Sequence, residues 1–264
     1  MPEATAPRAL IAVRRFMSRG KVSLVTIVAP VIPSRRDVAV IGHRGSCATH
    51  PENTIGGFQH ALDAGADAVE LDVTLSRDGV LTVSHDRVVC DFARVAAGTP
   101  SLEEVIEFAA GNSLFLDVEA KWYLPSPLRG EEFMRFLMAA LAPLAGRVAV
   151  RSFHYRLLRM AHDIAPEIPL IALTRRSAIR WVHMAKRARA RAISPHQWLI
   201  TPGEVLRTHK AGLPVYAWTV NREEDWRRMV RLGVDGIITD DPAALVAFLD
   251  QAAAVTRATG GGRR

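Results

Sequence analysis

From Asp37 onward the chain alternates short apolar runs with amphipathic segments of 3.6-residue spacing, and this alternation constrains the fold more than any other feature. The runs are "VAVIG" (38–42), "AVELDV" (68–73), "VLTVSH" (80–85), "LFLDVEA" (114–120), "RVAVRSF" (147–153), "PLIALT" (169–174), "RAIS" (191–194), "PVYAWTV" (214–220) and "DGIIT" (235–239). Most are continuous rather than alternating, as in strands covered on both faces of a parallel sheet. Helical spacing predicts helices over 54–64, 101–110, 130–144, 154–164, 177–190, 202–211, 222–232 and 242–252. Ser101 before "LEE" and Asn221 before "REED" read as N-caps. Such a pattern fits an α/β barrel or a doubly wound sheet. Nine runs are one too many for a simple eightfold barrel. The excess falls at "ELDVTLSRDGVLTVSHD", where "SRDG" is a turn signal that leaves no room for a helix. No G-x-G-x-x-G follows the first run, which disfavours a dinucleotide-binding sheet.

Charge divides the 264 residues into three parts. The net charge is +7, but residues 1–36 carry seven Lys/Arg against one Glu and residues 252–264 carry three Arg, which leaves 37–251 at −2. The expected organisation is a basic leader (1–36), one globular domain (37–252) and a flexible tail (253–264). Within the domain, Thr174–Arg191 holds seven Lys/Arg and no acid, which reads as a solvated helix face or as a surface for anionic lipid. Without a recognised motif or aromatic interleaving, nucleic acid is not an expected partner. The apolar run Val22–Ile32 is too short to span a bilayer, and no A-x-A cleavage site follows it. The expected location is cytoplasmic or at the periphery of an anionic membrane, met through the basic N-terminus, with secretion as the weaker alternative. Cys47 and Cys90 are read as free thiols.

Polar residues gather at the C-terminal ends of successive runs: His43 and Arg44, Glu70 and Asp72, His85, then Glu119 and Lys121. In a barrel those ends converge on one face. Residues two apart on a strand share a side, so Glu70 joins Asp72 and Glu119 joins Lys121. Three carboxylates on one face repel each other, and a hard divalent cation, Mg²⁺ or Ca²⁺, relieves that repulsion. Arg44 and Lys121 add the fixed positive charge that suits a phosphate. His43 and His85 titrate near neutrality and suit a general acid/base pair. Trp218, at a strand end, is a candidate wall for the organic part of the substrate. Glu52, Asn53 and Thr54 read as structural: Asn53 or Thr54 caps the first helix and Glu52 satisfies loop amides. Ser152 reads as a core-lining hydroxyl.

The segments "GHRG", "PENT", "ELDVTLSRDGVLTVSHD", "DVEAK", "SF", "AWTVN" and "DGIITDDP" occur in the order of the glycerophosphodiester phosphodiesterase family, and the chain resembles that family over roughly 38–245. The resemblance implies a single-domain TIM-type (β/α)8 barrel, a divalent metal, and hydrolysis of glycerophosphodiesters to an alcohol and glycerol 3-phosphate. It implies catalytic His43 and His85, metal ligands Glu70, Asp72 and Glu119, and phosphate contacts from Arg44 and Lys121. In one respect the chain departs from the family. "HDRVVCDFARVAAGTPSLEE" is a short loop where the family carries a longer capping insertion, which leaves the substrate open. Two alternatives therefore stand beside the main reading: a lysophospholipase D or sphingomyelinase D-like enzyme acting on lysolipids, and a non-catalytic binder of phospholipid head groups. No Walker-type loop supports phosphate transfer from a nucleotide.

Overall fold

The apolar runs become strands covered on two sides. The computed structural model describes residues 12–18, 21–27, 29–123, 129–175 and 181–260. It opens with an antiparallel hairpin of β1 (Ala12–Ser18) and β2 (Lys21–Ile27). Then follow β3 (Ala39–Gly42), α1 (Ile55–Asp63), β4 (Ala68–Leu75), β5 (Leu81–Val83), α2 (Leu102–Asn112), β6 (Leu116–Ala120) and α3 (Gly130–Leu141). The chain continues through β7 (Val148–Ser152), α4 (Tyr155–Ile164), β8 (Leu170–Thr174), α5 (Trp181–Ala188), β9 (Ala192–Pro195) and α6 (Pro202–Lys210). It ends with β10 (Tyr216–Ala217), α7 (Glu223–Leu232), β11 (Gly236–Thr239) and α8 (Pro242–Gly260).

Parallel pairing runs β10-β11-β3-β4-β6-β7-β8-β9. Bridges from Ile193 to Val215 and from His196 to Trp218 bring the last edge back to the first. Eight parallel strands thus form a nearly closed barrel with helices between them, the TIM-type architecture. The ninth run, β5, lies off this path and pairs antiparallel with β4, with Gly79 at φ +86° in the "SRDG" turn.

Strand alternation sorts the core into two compartments. Val69, Leu71 and Val73 of β4, Leu116 and Val118 of β6, and Val148 and Val150 of β7 pack outward against the helices. Ala39 and Ile41 of β3, Ala68, Ala149, Ile171, Ala192, Tyr216 and Ile238 fill the barrel interior with Phe115. The same inward register carries on toward the C-terminal strand ends as Glu70, Asp72, Asp117, Glu119 and Arg151, so the interior changes from apolar to charged along the barrel axis.

The chain joins the barrel before Asp37. Ile32 is buried in the apolar end of the interior, and the Tyr216 hydroxyl accepts from the N–H groups of Val31 and Ile32, both at 3.0 Å. A Cβ on Gly236 would lie 2.6 Å from the Tyr216 ring, so only glycine leaves that ring its place. At the other end of the chain, α8 continues to Gly260, past the boundary expected at Ala252. Among the described residues no helix is long and apolar enough to cross a membrane. The basic run Thr174–Arg191 includes α5, but its residues 176–180 lie outside the described residues, as do 1–11 of the leader and 261–264 of the tail.

Ser101 caps α2 as expected, in a reciprocal capping box with Glu104. Asn221 does not cap α7. That cap position belongs to Arg222, and the Asn221 side chain is drawn instead to Asp240.

Candidate active site

The turn "GHRG" explains itself sterically. A Cβ on Gly42 would lie 2.2 Å from the Gly45 carbonyl oxygen, and Gly45 itself sits at φ +93°. Only glycines permit a turn this tight directly after β3. The turn leaves His43 and Arg44 at the mouth of the barrel, with Arg44 in the left-handed region at φ +49°.

Beneath this turn lies the acidic group. Ligand oxygens of Glu70, Asp72 and Glu119 all lie within 4.8 Å of one another. Glu70 and Asp72 are 2% and 1% exposed, too buried for water to separate their charges. Burial, and then the neighbouring Asp72, push the Glu70 carboxyl up to about 8. Lys121 Nζ stands between the other two, 3.0 Å from Glu119 Oε1 and 3.1 Å from Asp72 Oδ1. Arg44 contributes its backbone N–H to Glu70 Oε2 at 3.1 Å. Its Nε is 3.1 Å from Asp72 Oδ2 without the angle of a hydrogen bond, and its Nη1 donates to Glu52 Oε2 at 2.6 Å. Glu52 therefore holds Arg44 rather than loop amides. Thr54 caps α1 through Gly57 N, which frees Asn53 for a different task. At φ +57°, Asn53 donates to Asp72 Oδ2 at 3.0 Å and accepts from the Asp72 N–H at 3.1 Å. One level deeper, Arg151 makes a bidentate pair with Asp117, both fully buried.

The two histidines are held differently. His43 Nδ1 lies 2.5 Å from Asp240 Oδ1, which leaves Nε2 as the other ring nitrogen. Asp240 is fixed by Asn221, whose Nδ2 donates to Asp240 Oδ2 at 2.5 Å and whose Oδ1 accepts from the Asp240 N–H at 2.9 Å. Burial pushes the His43 imidazole down, but the bond to Asp240 and the charges of Glu70 and Asp240 outweigh it, so the net shift is upward. His85 follows β5 and is more open. Its Nδ1 lies 2.9 Å from Asp86 Oδ1, and the Tyr123 hydroxyl donates to its carbonyl at 2.9 Å.

One cleft collects His43, Arg44, Glu70, His85, Glu119, Lys121 and Trp218, so the structure brings the expected residues together, with Asp72 directly beneath. Trp218 forms one wall. Its Nε1 donates to the Ser194 carbonyl at 2.8 Å, and Phe153 meets it edge-on at 5.5 Å. The Arg175 guanidinium lies 5.1 Å from the Trp218 ring centroid and 5.4 Å from that of Phe153. Ser152 is a buried hydroxyl that donates to the Ala120 carbonyl, as expected. Cys47 and Cys90 are both free.

Sequence reasoning gave no site role to Asp240, Asn221, Asn53, Arg175 or the Asp117–Arg151 pair. The period-2 register of "LFLDVEA" places Asp117 on the side of Glu119 and was the available signal for that residue. Asp240 and Asn221 stand inside "DGIITDDP" and "AWTVN", but their mutual contact joins the ends of two different strands and has no sequence signature.

The carboxylate trio and the two histidines at the strand ends of a nearly closed parallel barrel define an enzyme with its site where this fold carries catalysis. Models of the glycerophosphoryl diester phosphodiesterase family match residues 43–98 and 91–244. A glycerophosphodiester phosphodiesterase of Caldanaerobacter subterraneus subsp. tengcongensis is 33% identical over 234 residues, covering 78% of this chain and 96% of that protein. One from Bacillus altitudinis is 31% identical over 241 residues, covering 80% and 98%. The solved structure of an Oleispira antarctica phosphodiesterase in complex with its product sn-glycerol-3-phosphate superposes with a TM-score of 0.71 at 24% identity, covering 80% of this chain and 96% of that one, and supports the fold. The chain belongs to the glycerophosphoryl diester phosphodiesterase family. It is accordingly a phosphoric diester hydrolase.

Proposed function

We propose that the protein hydrolyses glycerophosphodiesters to glycerol 3-phosphate and an alcohol, with a divalent cation at Glu70, Asp72 and Glu119 and with His43 and His85 as the acid/base pair. The carrying observation is that both histidines line the same cleft as these carboxylates. The donor set fits a hard cation. It is all oxygen, and an ammonium already occupies the space between Asp72 and Glu119. When bound, such an ion supplies Lewis-acid stabilisation of charge on the phosphoryl oxygens. Asn53 donates to the Asp72 carboxylate and accepts from the Asp72 backbone N–H, so that ligand is preorganised. Lys121 lines the same cleft and, with an ion held by the carboxylates, would be placed to meet a nonbridging oxygen.

Proton traffic belongs to the imidazoles. His43, oriented through Nδ1 by Asp240, takes the proton of the attacking oxygen as that oxygen bonds to phosphorus. His85 gives a proton to the leaving alkoxide as its bond to phosphorus breaks. If a neighbouring hydroxyl of the substrate attacks first, a cyclic phosphate forms and the two residues exchange roles when water opens it. The aromatic wall of Trp218 and Phe153 borders the space left for the glycerol or alcohol portion.

The test is a release assay with glycerophosphocholine, glycerophosphoethanolamine, glycerophosphoglycerol and lysophosphatidylcholine, each with Mg²⁺, Ca²⁺ or EDTA. Expected are metal-dependent glycerol 3-phosphate from the first three and losses of about 10²–10⁴-fold in turnover for His43→Ala and His85→Ala. Undiminished turnover in EDTA, or near-normal activity in either folded variant, overturns the corresponding assignment. Turnover of the lysolipid alone moves the reading to a phospholipase D-like enzyme.

A further inference from the structure

We infer that His43, Cys47 and Asp240 form a second metal site, one that takes a borderline-soft divalent ion of the Zn²⁺ class and switches the enzyme off by capturing His43. One ligand atom from each residue lies within 4.8 Å of the others. The separations are 2.5 Å from His43 Nδ1 to Asp240 Oδ1, 3.1 Å from Cys47 Sγ to Asp240 Oδ1, and 3.8 Å from Cys47 Sγ to His43 Nδ1. Tetrahedral zinc, with bonds of about 2.0–2.3 Å, needs its ligand atoms roughly 3.4–3.6 Å apart. The pairs to Cys47 are close to that spacing, and the His43–Asp240 pair must open by about 0.9 Å to reach it. All three side chains are half-buried, so an ion can arrive from solvent and keep a water as its fourth ligand.

Donor chemistry separates this site from the one beneath it. Glu70, Asp72 and Glu119 offer oxygen alone and favour hard ions, whereas nitrogen, sulfur and one oxygen favour zinc. In the metal-free protein, burial and then the contact with Asp240 keep the Cys47 sulfur a thiol. Coordination sends its proton to solvent and leaves the thiolate on the ion. Binding through Nδ1 confines the remaining ring proton to Nε2, so His43 no longer has a free nitrogen with which to accept a proton. The site is specific to a chain with Cys directly after "GHRGS", since no other thiol reaches His43 among the described residues. The inhibitory half of this inference rests on the role given to His43 above; the binding half does not.

Two measurements test it. In the first, Zn²⁺ is titrated into the Mg²⁺-saturated enzyme and into its Cys47→Ser and Cys47→Ala variants. Each curve is read against that protein's own uninhibited rate, and the midpoint of inhibition of both variants rises by at least about tenfold, as expected for a lost ligand. In the second, Co²⁺ is added and the near-ultraviolet thiolate-to-cobalt charge-transfer band is recorded, which reports the site whatever the substrate turns out to be. The band is expected in the native protein and absent from both variants. A native protein without the band overturns the site. So does an inhibition midpoint that ignores Cys47, or an inhibition that excess Mg²⁺ reverses equally in all three proteins. A Cys47-dependent band with full turnover at saturating Zn²⁺ overturns the inhibitory role and counts against His43 as the base.

Discussion

Asp240→Asn exchanges one oxygen for an amide and keeps the shape of the side chain. Asp240 Oδ1 meets His43 Nδ1 at 2.5 Å, and Oδ2 accepts from Asn221 at 2.5 Å, so the carboxylate is clamped while it holds the ring. A hydrogen bond to a charged group contributes about 1.5–3 kcal/mol. At about 1.4 kcal/mol per factor of ten, its loss when His43 becomes an imidazolium lowers kcat by about 10- to 150-fold. An asparagine that turns its amide toward Nδ1 also selects the wrong tautomer, which places the expectation at the upper end. KM changes less, because Asp240 does not line the cleft. The pH profile separates this role from a structural one. At His43, the bond and charge of Asp240, with Glu70, outweigh burial and hold the ring above its ordinary value. Without Asp240 the ring titrates lower, and the limb of kcat/KM that reports His43 moves to lower pH. The assay is glycerol 3-phosphate release across the pH range in which both native limbs are visible. A folded Asp240→Asn protein with native kcat and unmoved limbs refutes the orienting role.

Three further outcomes follow from the same geometry. In EDTA, Glu70 titrates at about 8 against an ordinary 4.5, so its contribution to stability is complete below about 4.5 and is lost as pH rises toward 8. The Tm of metal-free protein should fall across that window, Glu70→Gln should flatten the slope, and a flat native profile would sink the argument. Arg151→Met alone leaves Asp117 buried without its partner and should destabilise the fold by about 3–5 kcal/mol, while Asp117→Leu with Arg151→Met restores much of that; urea unfolding checks both. Ile32→Ala opens a cavity inside the barrel and should cost about 2–5 kcal/mol, whereas a value near zero would show that the segment before Asp37 is peripheral after all.

Local chemistry made most of the barrel legible. Apolar runs covered on both faces and capped helices such as the Ser101–Glu104 box each declare themselves within a few residues. The register of Glu70 with Asp72, and of Glu119 with Lys121, follows from strand period alone. What stayed hidden depends on closure. Asn53 and Thr54 both stand where a cap of the first helix belongs; Thr54 takes that place, and Asn53 finds its partner in Asp72 on the next strand. Asn221 was read as a cap because it precedes a helix, yet β10 and β11 are neighbours and bring it to Asp240. Ile32 lay in a basic leader whose composition says nothing of barrel interiors. In each case a short polar or apolar residue satisfied a local rule, and a cross-strand contact determined where it went.

The charge pattern at the barrel mouth carries the argument one step further. Arg151 is committed to Asp117, Arg44 is shared between Glu52 and Asp72, and Lys121 is shared between Asp72 and Glu119. Glu70 receives the Arg44 backbone N–H, a neutral donor, and burial beside Asp72 raises its carboxyl to about 8. A retained proton is the least costly way for a buried acidic group to manage when positive charge is lacking. A site built only for ion pairing would match cations to carboxylates; this one is short of positive charge at the position where oxygens from two strands converge. The shortfall is what the divalent ion proposed above would supply, and Asn53 adds a bond to Asp72, the carboxylate whose cations, Arg44 and Lys121, are shared with Glu52 and Glu119.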